Sequence, residues 1–151
     1  MSDKNLDLIP RIKELYDSGE NIIQFLRNKE NRENNTIQDI LISYDFQSGS
    51  YIKYVDVNED YINSYTSSLA KVINELGEFN SILEVGVGEA TTLTNLIPKI
   101  SNTDKVGFFG FDLSWSRIFM AKKYMAKKNR STAELFVSNL FNIALEDSSV
   151  D

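Results

Sequence analysis

The residues I-L-E-V-G-V-G-E-A-T-T-L, at positions 82–93, carry the strongest chemical signal in the chain. An apolar run reaches Glu84, and Gly86 and Gly88 follow two apart before a helical pattern begins. That spacing describes a strand turning sharply into a helix. Glycine lets the backbone approach a ligand closely, and the amides of a helix start present it with a positive end. Two glycines after a strand can also form a plain tight turn. Glu84 narrows the chemistry: a carboxylate there repels a pyrophosphate and suits a cationic or amino-bearing ligand, directly or through water. A second acid, Asp112, directly follows the apolar run V-G-F-F-G-F. At a strand's carboxyl end it can accept both hydroxyls of a ribose, or it can simply begin the next turn. Two acids and a glycine turn at consecutive strand ends form one crevice.

Composition limits what that crevice can do. The 151 residues contain no His and no Cys, which removes thiol nucleophiles, disulfides, Cys/His zinc sites and Ser-His or Cys-His dyads. No metal site is expected. Sixteen Lys and Arg against 22 Asp and Glu give a net charge of −6, which argues against a nucleic-acid partner. The short basic run Lys122, Lys123, Lys127, Lys128 and Arg130 reads as a solvated helix face. Hydrophobic residues at 42% suffice for a packed core, and no apolar run approaches the ~20 residues of a membrane span. The N-terminus has no basic region followed by an apolar core, so the cytoplasm is the expected location, with no membrane partner.

The elements that must position the crevice change character near Gly77. Residues 1–77 read as a helical cap or lid region and 78–151 as a partial cofactor-binding domain. Ile9, Ile12, Leu15 and Tyr16 predict a helix from about Leu6 to Ser18; Ile22, Ile23, Phe25 and Leu26 a second; and Thr36 with Asp39 the capped start of a third. Residues 43–54 read as a loop with aromatic anchors. The stripe Tyr61, Ile62, Tyr65, Leu69, Val72, Ile73 and Leu76 predicts a long helix, capped by Asp56 or Asn58 and stopped by Gly77. From Ser81 onward, short apolar runs alternate with helical patterns, which is the mark of α/β units. Strands are expected at 81–85, 106–111 and 134–137. The helix 114–128 is expected to turn Trp115, Ile118, Phe119 and Met125 inward.

The segment E-V-G-V-G-E-A resembles the first motif of the class I S-adenosylmethionine-dependent methyltransferases, with Ala90 in the small third position. G-F-D-L-S-W-S-R-I-F-M-A-K, residues 110–122, resembles the second motif, in which the acidic residue holds the ribose. Residues 135–151 resemble the third, with Asn139 where an Asp usually precedes the adenine-contacting residue. The resemblance implies an α/β Rossmann-like sheet with S-adenosyl-L-methionine as cofactor. It implies cofactor contacts from Glu84, Gly86, Gly88, Asp112, Leu113, Asn139 and Leu140. Tyr44, Gln47 and Tyr51 are candidate lid contacts, their phenol and amide donors suited to a carboxylate. The family's sheet is longer, so the chain is expected to stop before strand four and to carry strands one to three only. Residues 81–151 hold about two βαβ repeats of roughly 30 residues.

Methyl transfer to a small-molecule acceptor is the expected function, with a saccharide or cell-surface precursor as one candidate and no catalytic base assignable. A non-catalytic cofactor-binding or assembly domain is the alternative. A nicotinamide-dependent oxidoreductase is a third reading, disfavoured by Glu84 and by Thr91 at the third glycine position of a dinucleotide fingerprint. An open edge on the first strand predicts a homo-oligomer or a complementing C-terminal segment.

Overall fold

The computed structural model describes residues 8–151. They fold as two compact units that divide between Gln47 and Ser48. The helical reading from Leu6 thus begins partly outside the described residues. The first unit holds helices α1 (Leu8–Asp17), α2 (Ile22–Lys29) and α3 (Ile37–Gln47). Its core is Ile12, Ile22 and Leu26, with Tyr16, Ile42 and Phe46 packed around it. Asn21 caps α2 by accepting from the Gln24 amide at 2.9 Å. Thr36 and Asp39 close a reciprocal box at the start of α3. The Asp39 amide donates to Thr36 Oγ1 at 3.2 Å, and the Thr36 amide donates to Asp39 Oδ2 at 2.7 Å. Asp39 also receives both arms of the Arg32 guanidinium, at 2.7 and 2.9 Å. This pairing holds its carboxyl down at about 2.

The second unit contains α4 (Ser50–Val57), α5 (Glu59–Glu75), β1 (Ser81–Val85), α6 (Thr91–Leu96), β2 (Gly107–Asp112), α7 (Trp115–Lys127) and β3 (Ala133–Val137). The three strands form one parallel sheet in the order β1-β2-β3, with Glu84 opposite Gly110 and Asp112 opposite Val137. The core gathers Val87, Leu93, Leu96, Ile97, Phe108, Ile118, Met125 and Leu135 between the sheet and its helices. Gly110 makes the central strand thin enough for this. A Cβ there would lie 2.9 Å from Val87 Cγ2 and 3.0 Å from Leu135 Cδ2. The strand boundaries fall within one residue of those expected. Near the sheet's free margin, the Asp151 carboxylate accepts from the Asn80 and Ser81 amides at 2.6 and 3.0 Å, against the start of β1. No helix among the described residues is long and apolar enough to cross a membrane.

Three expectations about packing change. Residues 43–54 are not a loop: α3 continues to Gln47, and α4 begins at Ser50 after a break at Gly49, whose φ is +91°. Ile52 and Val55, three apart, pack α4 onto Ile62 and Tyr124. The α5 stripe is rotated, with Ile62, Thr66 and Ala70 buried while Tyr61, Val72 and Leu76 are exposed. Thr66 can face inward because its hydroxyl donates to the Ile62 carbonyl at 2.7 Å and accepts from Lys99 Nζ at 2.6 Å. Asn58 holds the cap position of α5, but its side chain donates to the Tyr54 carbonyl, and Asp56 pairs with Lys127 at 2.9 Å. Finally, Trp115 and Phe119 point outward and stack on each other at 5.2 Å, leaving Ile118, Ala121, Tyr124 and Met125 as the inward face of α7.

Candidate functional site

The turn after β1 is built from left-handed residues. Gly86, Gly88 and Ala90 have φ of +71°, +54° and +53°. A Cβ on Gly86 would meet nothing within 4 Å, so the backbone there fronts open space. Ala90 accepts the left-handed conformation despite its Cβ, and it is fully buried at the start of α6. Backbone bonds fix the turn from within: the Val87 amide donates to the Phe111 carbonyl at 2.8 Å, and the Ala90 amide to the Val87 carbonyl at 2.9 Å.

Asp112 ties this turn to the next one. Its Oδ2 accepts from the Gly88 amide at 3.0 Å and its Oδ1 from the Ser114 amide at 2.9 Å. Ser114 in turn caps α7 by accepting from the Arg117 amide. Asp112 therefore shapes the turn, and it stands at the carboxyl end of β2. Each oxygen keeps a second lone pair for another donor. Leu113, half-buried, lies between Asp112 and the cap.

Glu84 is the electrostatic anomaly of the site. Burial pushes its carboxyl up to about 7, opposed by a hydrogen bond from the Leu93 amide in the first turns of α6. Its Oε2 is buried and has no hydrogen-bond partner. A buried acceptor of this kind costs free energy until a donor arrives.

The third stretch follows β3. The Asn139 side-chain oxygen accepts from the Phe141 amide at 3.0 Å, so the group that Asn139 can offer a ligand is its Nδ2–H. Leu140 and Phe141 are exposed, Phe141 at 93%. The candidate lid residues belong to different units. Tyr44 and Gln47 stand on α3 in the first unit, where Gln47 donates to Ser43 Oγ at 3.0 Å. Tyr51 stands on α4 in the second unit, with the Arg117 guanidinium 5.5 Å from its ring centroid. That guanidinium also reaches the turn, with Nη1 3.5 Å from where a Gly88 Cβ would lie.

Two residues at the turn escaped the sequence reading. Arg117 sits in the first turn of α7, and its only signal was a cation five residues beyond Asp112. Glu89 is an acid inside the turn, 2% exposed, and its signal was a carboxylate between Gly88 and Ala90, where no solvated side chain is needed.

No protein-family model matches the chain, and no curated protein sequence matches it at a significant level. Solved structures do. It is similar to a SAM-dependent methyltransferase from Aquifex aeolicus at 24% identity and TM-score 0.46, over 59% of this chain and 53% of that one. It is similar to the methyltransferase domain of bacterial CtHen1-C at 22% identity and TM-score 0.38, over 52% and 39%. It is also similar to the plantazolicin methyltransferase BamL, solved with a triazolic desmethylPZN analog and SAH, at 24% identity and TM-score 0.34, over 65% and 31%. The chain thus spans about half or less of the length of these structures. Its own architecture is mixed α/β with a parallel β1-β2-β3 sheet.

Proposed function

We propose that the chain binds S-adenosyl-L-methionine at the turn 84–90 and forms the cofactor-holding part of a methyltransferase for a small-molecule acceptor. The observation that carries this reading is the orphaned Oε2 of Glu84 beside a left-handed glycine turn that faces open space. A buried acceptor there calls for a donor with positive charge, and the α-ammonium of an amino-acid moiety supplies both. Asp112 would take ribose hydroxyls on its remaining lone pairs. Asn139 Nδ2–H and the apolar Leu113 and Leu140 would frame the adenine. Bound there, the cofactor would supply an electrophilic methyl on a sulfonium. The protein's part is then to orient an acceptor in line and to exclude water, which requires neither His nor Cys.

The small-molecule assignment rests on the acidic charge and the helical N-terminal region; a saccharide is one candidate acceptor. Tyr51, held beside the turn through Arg117, is the lid contact favoured by geometry. The free margin of β1 would pair with a further strand, from a complementing segment or a second copy. Calorimetric titration tests the cofactor class. S-adenosylhomocysteine should bind and NAD should not, because the Glu84 carboxylate repels a pyrophosphate. Equal or tighter binding of NAD would contradict the assignment.

A further inference from the structure

We propose that Glu89 is a positioning residue that clamps helix α4 onto the glycine turn, so that cofactor affinity depends on how α4 is seated. This proposal rests on the cofactor reading given above. Glu89 lies between the two left-handed residues Gly88 and Ala90, and its carboxylate leaves the turn to satisfy another element. Oε1 accepts from the Gly49 amide at 2.7 Å and Oε2 from the Ile52 amide at 2.9 Å. Those amides belong to the N-cap and third residue of α4, groups that have no partner within a helix and sit at its positive end. A buried carboxylate so bonded has a charge-assisted bond on each oxygen, and it joins two segments 37 and 40 residues apart in the chain.

The turn is therefore held from two sides by two acids. Asp112 grips the Gly88 amide from the β2–α7 side, and Glu89 anchors the next residue to α4. A left-handed Ala90 is intrinsically disfavoured, so its conformation persists only while its surroundings over-determine it. Releasing α4 removes one of these constraints and at the same time loosens Tyr51 over Arg117.

Two variants break the clamp from opposite ends. Glu89→Gln leaves one acceptor oxygen and sets an NH2 group against a backbone N–H. Gly49→Ala leaves the turn untouched and strains the cap instead, because φ there is +91° while Met120 Cε, 3.4 Å away, leaves room for the Cβ. Should Glu89→Gln fail to fold, Gly49→Ala carries the test.

Amide hydrogen exchange and calorimetry with S-adenosylhomocysteine are measured on the 151-residue chain. Exchange at Gly49 and Ile52 should accelerate in both variants while β1–β3 amides keep their protection. Affinity of the folded protein should fall about tenfold, as for loss of a charge-assisted hydrogen-bonding group. Faster exchange with unchanged affinity would show a merely structural tether and overturn the positioning role. Unchanged exchange would overturn the clamp itself. A wild-type chain that does not bind S-adenosylhomocysteine overturns the cofactor reading and the affinity role together; the exchange results still decide separately whether the clamp exists.

Discussion

Asp39 in the helical unit and Glu84 in the sheet unit are both carboxylates withdrawn from water, and their surroundings treat them in opposite ways. Asp39 meets a bidentate guanidinium and a backbone amide, and its carboxyl is held down at about 2. Glu84 receives a single amide bond, keeps one oxygen without a partner, and is pushed up to about 7. A satisfied buried acid closes a helix start and has nothing left to offer a ligand. An unsatisfied one weakens the free protein and rewards whatever donor completes it. Two acids drawn in from the surface are thus told apart by where their hydrogen bonds go, which composition does not record.

The largest expected effect is at the turn. Gly86→Val fills the open space beside the backbone and forces a β-branched residue to a φ of +71°. Binding of S-adenosylhomocysteine should disappear in calorimetry, while the circular dichroism melt keeps a cooperative transition; retained binding would mean that the turn faces away from the ligand. Asp112→Ala comes next, weakening binding by about 1.5–3 kcal/mol through loss of its hydrogen-bonding carboxylate. A loss of only a few tenths would reduce Asp112 to a turn residue.

Glu84→Gln should separate binding from stability. Between pH 4.5, the ordinary value, and about 7, the folded chain keeps a proton that the unfolded chain has released. The contribution of the neutral acid to stability is therefore full below 4.5 and is lost as pH rises through about 7. The Gln variant should be more stable than wild type above pH 7, by up to about 3 kcal/mol, and bind the ligand more weakly. Urea melts at pH 5 and pH 8 check the sign. Asp39→Asn is its mirror and the smallest effect, about 1.5 kcal/mol, through loss of the charge-assisted pairing with Arg32. The wild-type contribution is full above 3.8 and is lost as pH falls through about 2. The deficit of the variant should therefore shrink in acid, and a deficit that grows would contradict the pairing.

Much of this was legible in the sequence where a single local rule decides. β1 was readable from an apolar run ending at Glu84, the α3 box from Thr36 and Asp39, and the left-handed stop at Gly77 from its position after a periodic stripe. What was not legible depends on partners distant in the chain. The segment 43–54 is helical on both sides of Gly49 because Ile52 and Val55 find Ile62 and Tyr124, a contact absent from local composition. Trp115 and Phe119 fit the helical period yet lie one step off the buried face, where the smaller Ala121 lets α7 approach the sheet. Glu89 was visible only as a letter in a motif, because its two donors lie on a helix read as loop.

Proton-linked calorimetry at pH 7 tests the role of Glu84 most directly. S-adenosylhomocysteine is titrated into the chain in buffers of different ionisation enthalpy, alongside Glu84→Gln. With the carboxyl raised by burial in the free protein and an ammonium arriving at its unpartnered oxygen, binding should release protons in wild type and fewer in the variant. Binding with no proton release in wild type, or with the same release in both proteins, would contradict the assignment of Glu84 as the acceptor for the ligand's charge.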